Sequence, residues 1–222
     1  MVAAKPDRVR PQASAEVQRI LKARAFTADP DAGDKNAHLR YAVQHVELDG
    51  LWLEFGVSTG GSLTVIAEQT HAHVYGFDWF DGLPEEWVRG DRSSTLPRGT
   101  FSGRPSAVPS NVTLVDGLFE QTLARFIEEH HEPVAFMHVD CDLYASTATV
   151  FASLHDRIVP GTIIVFDELF GYGNFAEHEM KALFEAVVAY GLVYDYLGWA
   201  KTHVPDTSCA ASLRITAAAH HE

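Results

Sequence analysis

The sequence predicts an α/β domain built on a mostly parallel, seven-stranded sheet with helices on both faces. The first observation is that, from residue 51 onward, short apolar runs alternate with stretches of helical spacing, as in successive strand–helix–strand units. The second is length, because 222 residues suffice for one well-buried domain and are few for two. The third is that two β-rich segments end the chain, which predicts an antiparallel pair of strands there.

Seven segments have the apolar, β-branched or aromatic composition of strands, and six have the spacing of helices. The predicted strands are LWLEF (51–55), HVYGFD (73–78), NVTLV (111–115), VAFMHVD (134–140), GTIIVFD (161–167), GLVYDYLGW (191–199) and SCAASLRIT (208–216). The predicted helices are residues 14–24, 35–47, 61–70, 119–129, 146–158 and 176–190. Residues 1–50 are therefore expected to form an N-terminal arm and helices that pack on the core, and residues 51–216 the main domain.

A long polar segment, about residues 79–110, interrupts this alternation. It has no clear periodicity but contains the large aromatic residues Trp79, Phe80, Trp87 and Phe101. Segments of this length in compact domains are usually lids, binding loops or disordered. We expect a lid over a binding site, although each of these aromatic side chains could equally well pack on the core.

Charge and cysteine content exclude several classes of partner. The chain has 17 Lys and Arg against 30 Asp and Glu, a net charge of -13, which would repel nucleic acid and anionic membranes. It has two cysteines, no apolar stretch long enough to span a membrane and no signal-peptide pattern. We therefore expect a cytoplasmic protein with no nucleic-acid partner, no membrane partner and no disulfide framework.

The string Gly56-Val57-Ser58-Thr59-Gly60 follows the first core strand and has three interpretations. As G-x-S-x-G it could be the nucleophile elbow of a hydrolase. That motif normally follows a partly built sheet and an upstream glycine motif, whereas only two predicted helices and isolated glycines precede it here. As a dinucleotide-binding turn it carries Ser58 where a glycine must let the backbone approach a pyrophosphate. Ser58 and Thr59 could also simply cap the next helix.

The third interpretation is a turn that holds S-adenosylmethionine. Asp78 ends the second core strand 22 residues after Gly56, where a ribose-binding acid is expected, but NAD and S-adenosylmethionine share adenosine. Glu54 separates the two, because an acid there would repel a pyrophosphate but could hold the ammonium group of a methionine moiety. The residues thus favour S-adenosylmethionine, although Asp78 could be a solvated acid and Glu54 a capping or paired carboxylate.

Four carboxylates follow two strands in the segments HVDCDLYAST and IIVFDELFGY: Asp140, Asp142, Asp167 and Glu168. Because side chains alternate along a strand, Asp140 and Asp142 are expected on one side and Cys141 on the other. Ligands of open α/β sheets bind outside the carboxyl ends of the strands. Clustered carboxylates raise each other's pKa or bind a cation, and oxygen ligands without His or Cys suit Mg²⁺. Alternatively, one acid caps a helix and the others face water.

These motifs resemble the macrocin O-methyltransferase family of class I S-adenosylmethionine-dependent methyltransferases. The resemblance covers about residues 51–199 and is carried by EFGVSTGGS, GFDWFDGLPEEW, VDGLFEQTL, HVDCDLYAST and VPGTIIVFDE, in this order. It implies a Rossmann-like class I methyltransferase fold and Mg²⁺-assisted methyl transfer to a hydroxyl, often on a sugar of a natural product. It also implies a homodimer. It does not identify the small-molecule acceptor.

The resemblance also implies roles for individual residues. The metal would be held by Asp140, Asp167 and Glu168, the last standing where antibiotic-pathway members often have Asp, and Asp142 would be the general base. The positions expected to contact or shape the site of the methyl donor are Glu54, Gly56, Ser58, Gly60, Ser62, Asp78 and Asp116. His138 is the next candidate base. A metal-independent methyltransferase with another acceptor, or a non-catalytic nucleoside-binding module, remains an alternative.

Overall fold

The computed structural model describes residues 6–26, 34–90, 95–201 and 208–219. The strands are β1 (Arg24–Phe26), β2 (Leu51–Phe55), β3 (Val74–Asp78), β4 (Trp87–Val88), β5 (Thr95–Leu96), β6 (Val112–Asp116), β7 (Val134–Val139), β8 (Ile163–Phe170), β9 (Val193–Lys201) and β10 (Cys209–Ala217). The helices are α1 (Pro6–Ile20), α2 (Lys35–Val43), α3 (Gly61–Glu68), α4 (Phe119–Glu129), α5 (Tyr144–Leu154) and α6 (Glu179–Tyr190), with 3₁₀ turns at His155–Arg157 and Phe175–Glu177. No helix in these ranges is long and apolar enough to cross a membrane.

Eight strands form one sheet in the order β1-β9-β10-β8-β7-β2-β3-β6. β10 runs antiparallel to both of its neighbours, and the other neighbouring pairs are parallel. This confirms the predicted α/β class, with a mostly parallel sheet, helices on both faces and an antiparallel pair at the end of the chain. The sheet has one strand more than the seven predicted. The helix predicted over residues 14–24 instead spans Pro6–Ile20. The additional strand, β1, begins at Arg24 and pairs with the distant β9.

Both faces of the central strands are covered, as expected for a parallel sheet between helices. In β2, Leu53 and Phe55 belong to the larger hydrophobic cluster, whereas Trp52 belongs to the cluster on the opposite face. Among these apolar side chains, Glu54 of β2 and His138 of β7 are polar, fully or almost fully buried, and paired in register. The centre of the sheet therefore contains one polar pair next to the carboxyl ends of its strands.

The segment before β2 is part of the same fold. Ala13 and Ile20 of α1 are buried in the larger cluster, and Leu39 of α2 is buried in the second cluster. Helix α2 begins after Asp34, whose Oδ1 accepts a hydrogen bond of 2.7 Å from the amide of Ala37 and so caps the helix. The N-terminus of α2 thereby lies at a defined place beside the sheet.

The described part of the lid, residues 79–90 and 95–110, is docked on the domain. Strands β4 and β5 form a small antiparallel sheet, and Trp87 is buried in a cluster with Leu83, Leu143 and Tyr172. The backbone amide of Asn174 donates a hydrogen bond of 2.6 Å to the carbonyl of Arg89. Trp87 therefore packs on the domain, which is one of the two roles that the sequence left open for each aromatic residue of this segment.

Candidate active site

A cavity of about 790 Å³ opens at the carboxyl ends of the parallel strands. The glycine side of this cavity follows β2, β3 and β6 and consists of Gly56, Val57, Ser58, Asp78, Gly117, Leu118 and Phe119. The acid side consists of Lys35, Asp140, Asp142, Asp167 and Glu168. Lid residues that include Trp79, Leu83, Trp87, Arg89 and Phe101 form another wall. A ligand in this cavity would therefore contact both sides and the lid, at the usual binding position of an open α/β sheet.

The turn after β2 depends on a glycine. Gly56 has a φ of +92°, and a Cβ at this position would collide with the carbonyl oxygen of Asp140. Ser58 also has a positive φ, of 46°, and its hydroxyl donates a 3.2 Å hydrogen bond to the carbonyl of Phe101 in the lid. Only a residue without a side chain fits at Gly56 and lets the two strand ends approach each other.

Asp78 connects this turn to the start of the lid. One of its carboxylate oxygens accepts hydrogen bonds of 2.7 Å from the amides of Val57 and Ser58, and the other accepts one of 2.6 Å from the amide of Phe80. The residue lines the cavity, where a ribose-binding acid is expected. Its carboxylate thus also has a structural role that the sequence did not indicate, because it holds the glycine turn in place.

Of the seven positions predicted for the donor, the structure places Gly56, Ser58 and Asp78 in the cavity wall; the other four, Glu54, Gly60, Ser62 and Asp116, do not line it. Gly60 instead caps α3 with a φ of +85°, and Ser62 lies in the first turn of that helix. The carboxylate of Asp116 forms an exposed ion pair with Arg104, whose guanidinium lies 4.5 Å from the ring centroid of Phe80.

Glu54 lies beneath the cavity and pairs with His138. Its Oε1 is 2.8 Å from Nδ1 of His138, and the other ring nitrogen of His138 is 3.7 Å from Oδ1 of Asp167. Burial opposes the charge of the imidazole, but hydrogen bonds to Asp167 and Glu54 outweigh it and raise the pKa of His138 to about 10. The imidazole of His138 is therefore charged at neutral pH. Within the described residues, Oε2 of Glu54 has no hydrogen-bond partner.

All four predicted acids line the acid side of the cavity. Carboxylate oxygens of Asp140, Asp142 and Glu168 lie within 4.8 Å of one another, and ligand atoms of His138, Asp140 and Asp167 form a second such group. Residues 140–142 follow the end of β7 rather than continue it, and Asp142 has a φ of +62°. The acids therefore converge through a turn and not through the strand alternation expected from the sequence.

Burial and mutual repulsion change the pKa values of these acids. Burial, together with the charge of Asp167, raises the pKa of Asp140 to about 7, although a quarter of this side chain contacts solvent. Burial is also the largest cause of the raised pKa of Asp142 and of Glu168, and the charge of Asp142 adds to it at Glu168. Removing a proton from this group therefore costs free energy unless a cation is close.

Lys35 is a residue of the acid side that the sequence analysis missed. Its Nζ lies 2.5 Å from Oδ1 of Asp167 and 3.5 Å from Oδ2 of Asp140. These charges outweigh the burial that opposes them, so the pKa of Lys35 is raised, and its ammonium, together with His138, lowers the pKa of Asp167 despite burial. A lysine in the first turn of a helix interacts unfavourably with the helix dipole. This unfavourable position was the feature of the sequence that could have drawn attention to Lys35.

Arg89 is a second residue that the sequence analysis missed. This lid residue is 5% exposed, lines the cavity and donates a 2.7 Å hydrogen bond to the hydroxyl of Ser208. Its guanidinium lies 4.6 Å from the ring centroid of Trp87 and 4.9 Å from that of Tyr172. A buried positive charge therefore faces the same cavity as the acids, on the lid wall.

The donor set of the acid side fits a hard cation. Three carboxylates converge within 4.8 Å, and Oε1 of Glu168 is buried with no hydrogen-bond partner within the described residues. Hard cations such as Mg²⁺ prefer carboxylate oxygens. The cavity thus combines a turn shaped for close approach of a ligand with carboxylates that can bind a cation or accept a proton.

Comparisons with known proteins agree with this geometry. Residues 53–169 match the family model described as "Methyltransferase domain". Similar solved structures are CalS11, a calicheamicin methyltransferase (19% identity, 96% of this chain and 94% of that one, TM-score 0.61), and the O-methyltransferase NovP (18%, 82% and 79%, 0.60). An O-methyltransferase from Bacillus cereus in complex with SAH is also similar (14%, 96% and 93%, 0.52). A second CalS11 structure is described as a TDP-rhamnose 3'-O-methyltransferase (18%, 96% and 96%, 0.54).

A comparison with curated protein sequences finds no match. The solved structures are below 25% identity and therefore speak for the fold, whereas the family model covers more than half of the chain and includes the whole glycine side and the four acids of the acid side. The chain therefore belongs to the methyltransferase-domain family and is a class I S-adenosylmethionine-dependent methyltransferase.

Proposed function

We propose that this enzyme transfers the methyl group of S-adenosylmethionine to a hydroxyl of a sugar or another small polyol-type natural product, as a member of the macrocin O-methyltransferase family with Mg²⁺ assisting. The observation that carries the proposal is the position of Asp142. Its buried carboxylate, with a raised pKa, lines the same cavity as the glycine turn at Gly56. Of the proteins that share the fold, CalS11 is described as a TDP-rhamnose 3'-O-methyltransferase and NovP as an O-methyltransferase.

The glycine side is the proposed site of the methyl donor. Gly56 and Ser58 offer a close backbone approach, and Asp78 lies at the wall where ribose hydroxyls would be bound. Glu54 would act on the donor through the electrostatic field beneath the cavity, because its carboxylate already pairs with His138. Asp116 would meet the donor only after Arg104 releases it, whereas Gly60 and Ser62 shape the start of α3.

The acid side is the proposed site of the cation and the reacting hydroxyl. Asp140, Asp142 and Glu168 converge most closely, while Asp167, predicted as a third ligand, pairs with Lys35. Mg²⁺, when bound, would orient a vicinal diol and lower the pKa of its hydroxyl. Because a carboxylate has two oxygens, Asp142 can bind a cation through one and remain a base through the other.

The chemistry is an in-line displacement. A carboxylate oxygen of Asp142 takes the hydroxyl proton, and the acceptor oxygen forms a bond to the methyl carbon while the carbon–sulfur bond breaks. The products are a methyl ether and S-adenosylhomocysteine, and the proton on Asp142 returns to solvent. Burial raises the pKa of Asp142 above that of an ordinary aspartate, which makes its carboxylate a stronger base for this step. His138 suits it poorly because it is an imidazolium beneath the cavity.

The lid would enclose the reactants. Trp79 and Phe101 line the cavity and offer apolar surface that excludes water, while Trp87 holds the segment on the domain. Positioning two reactants in one cavity lowers the barrier by up to roughly 7–11 kcal/mol in favourable model systems. The volume of the cavity and the net charge of -13 favour a small acceptor over nucleic acid. The proposed enzyme is a homodimer.

A metal-independent methyltransferase is the second candidate, and Lys35 favours it. Its ammonium already lies between Asp140 and Asp167, so the acid side contains a cation of its own. A non-catalytic nucleoside-binding module is the third candidate. A binder of nucleosides gains nothing from four acids around one cavity, so the acid side argues against this candidate.

The test is a methyl-transfer screen against sugar and polyol glycosides with S-adenosylmethionine, in the presence of Mg²⁺ or of EDTA, read by mass. We expect one acceptor class to gain a single methyl group, with turnover dependent on the metal. S-adenosylhomocysteine, and not NAD, should raise the melting temperature. Equal turnover in EDTA would favour the metal-independent candidate. Binding of NAD without any response to S-adenosylhomocysteine would overturn the proposed donor.

A further inference from the structure

We propose that Lys35 is an internal cation of the acid side that competes with a divalent metal ion for Asp140 and Asp167. The inference deepens the proposed function and rests on it in one respect, that the acid side is where a metal binds. It assigns a role to a residue outside the motifs that carry the family resemblance. It concerns metal affinity and therefore has a readout that does not depend on methyl transfer.

The ammonium occupies oxygens that a metal ion would need. Nζ of Lys35 lies 2.5 Å from Oδ1 of Asp167 and 3.5 Å from Oδ2 of Asp140, and Asp140 also belongs to the close group with Asp142 and Glu168. A metal ion bound to Asp140 would therefore lie within a few ångströms of this ammonium. Two cations at that separation repel each other strongly where solvent is partly excluded.

Lys35 is also placed so that it can withdraw. Its side chain is 31% exposed, compared with 9% for Asp167, so Lys35 is the partner of this ion pair that has more contact with solvent. The flexible four-carbon stem of lysine allows the charged group to turn toward solvent while helix α2 stays in place. The capping hydrogen bond from the amide of Ala37 to Oδ1 of Asp34 fixes the start of the helix. It therefore also fixes the backbone position from which the Lys35 side chain extends.

The positive charge stabilises the acid side when no metal ion is bound. Asp140, Asp142, Asp167 and Glu168 are held around one cavity; within the described residues the cationic groups that face them are Lys35, His138 and Arg89, and the fully buried Glu179 is a further acid whose charge acts on Glu168. Of these, His138 lies 3.7 Å from Asp167 and also pairs with Glu54, Arg89 donates to Ser208 on the lid wall, and Lys35 bridges two of the acids, Asp140 and Asp167. Lys35 thus exchanges with the metal ion. Its ammonium binds the acids when no metal ion is present and is displaced from them when a metal ion binds.

The test compares wild type with Lys35→Met, Lys35→Gln, Lys35→Arg and, as a matched control, Lys22→Met, an exposed lysine outside the cavity. Mn²⁺ affinity is measured by electron paramagnetic resonance, and melting temperature is measured with and without Mg²⁺. We expect Lys35→Met and Lys35→Gln to bind Mn²⁺ at least about tenfold more tightly, because the competing charge is gone. Lys35→Arg keeps the charge and should stay near wild type, as should Lys22→Met.

Thermal stability gives a second readout. Without metal, Lys35→Met should melt below wild type because Asp140 and Asp167 lose the cation that bridges them, and Mg²⁺ should raise its melting temperature more than that of wild type. Unchanged or weaker Mn²⁺ binding in both uncharged variants would overturn the competition, and so would the absence of Mn²⁺ binding in every protein. If Lys35→Met does not fold without metal, Lys35→Gln decides the outcome, and refolding of Lys35→Met upon addition of Mg²⁺ supports the proposal.

S-adenosylhomocysteine affinity, measured on the same samples, separates this inference from the proposed function. We expect wild type and all variants to bind it equally. Loss of binding in wild type as well would refute the proposed methyl donor while leaving the competition intact. Equal Mn²⁺ affinity with normal S-adenosylhomocysteine binding would refute the competition while leaving methyl transfer intact.

Discussion

The two sides of the cavity are built in different ways. The glycine side is made largely by the backbone: Gly56 allows a turn that no other residue fits, and the amides of Val57 and Ser58 are satisfied by Asp78. The acid side is made by side-chain charges, and it keeps a buried oxygen of Glu168 without a hydrogen-bond partner within the described residues. One side is complete before a ligand arrives, and the other needs a cation or protons.

This difference predicts that the two sides of the cavity respond to different kinds of substitution. Changes of shape should damage the glycine side, because its geometry leaves no room for additional atoms. Neutralising an acid of the acid side should damage catalysis with little loss of stability, because buried like charges repel one another. The four substitutions below test this contrast, beginning with the largest expected effect.

The largest effect is expected for Asp142→Asn. The amide keeps the size of the carboxylate and one hydrogen-bonding oxygen but cannot accept the hydroxyl proton, so turnover should fall on the order of 10²–10⁴-fold. S-adenosylhomocysteine affinity should persist, and the melting temperature should stay equal or rise because one buried negative charge is removed. Turnover is measured by mass and affinity by calorimetry.

The control for this variant is Asp195→Asn, an exposed acid of β9 outside the cavity, which should leave turnover unchanged. Near-normal turnover of Asp142→Asn would place the base elsewhere. A fall in donor affinity as large as the fall in turnover would instead show that the two sides of the cavity are not separable.

Gly56→Ala tests the glycine side. The added Cβ would collide with the carbonyl oxygen of Asp140 while the φ of +92° is itself unfavourable for alanine, so the free energy of unfolding should drop by more than about 2 kcal/mol. Gly61→Ala is the matched control, because a Cβ at Gly61 meets no atom within 4 Å at the start of α3. Urea unfolding should show Gly61→Ala to be neutral or slightly stabilising, and equal losses in both variants would contradict the steric argument.

His38 tests the layer behind the acid side. Its side chain is fully buried, with Nε2 2.9 Å from the hydroxyl of Ser212, and burial lowers its pKa from 6.5 to about 4. Between these pH values the unfolded chain binds a proton that the folded chain excludes, so stability falls as the pH decreases below 6.5. The loss should reach about 2 kcal/mol between about pH 7.5 and about pH 5.

The measurement is urea unfolding of wild type, His38→Gln and the exposed control His71→Gln at both pH values. Because other groups also titrate, the quantity of interest is the difference in slope. His38→Gln should lose about 2 kcal/mol less than wild type on acidification, whereas His71→Gln should follow wild type. Identical slopes in all three proteins would mean that folding does not lower the pKa of His38.

The smallest effect is expected at Asp78, a charged side chain that holds the backbone of the glycine side. Asp78→Ala removes the acceptor of three backbone amides and the proposed ribose contact, so melting temperature and S-adenosylhomocysteine affinity should both decrease, the affinity by about 1–3 kcal/mol. Asp78→Asn keeps one oxygen and should lose less. Calorimetry of both variants is compared with Asp81→Ala, an exposed neighbour outside the cavity. Unchanged donor affinity in Asp78→Ala would reduce Asp78 to its structural role.

Local patterns were sufficient for most of the fold. The seven predicted strands are all present, and the helix at 119–129 has the predicted bounds, because apolar runs and helical spacing are properties of consecutive residues. The missed strands are short: β1 has three residues and is stabilised by β9, far away in the chain. The lid contains two further strands of two residues each. Such pairing is decided by distant partners and leaves no periodic signal.

The candidate site divides in the same way. Motif spacing was sufficient to predict that Gly56, Asp78 and the four acids lie at one cavity, because the carboxyl ends of parallel strands share one edge of the sheet. It did not reveal that Glu54 is paired with His138 across the register of β2 and β7, which keeps Glu54 from the cavity.

By itself, the sequence determined the class of fold, the edge of the sheet at which the cavity opens and the acids that gather there. These follow from the alternation of strands and helices and from residues at strand ends. Only the tertiary structure decided that Lys35 and Arg89 reach the same cavity. Lys35 comes from a helix that precedes the sheet, and Arg89 from a lid that lacks periodicity. Charge partners are chosen by proximity in space, which the order of residues along the chain does not encode locally.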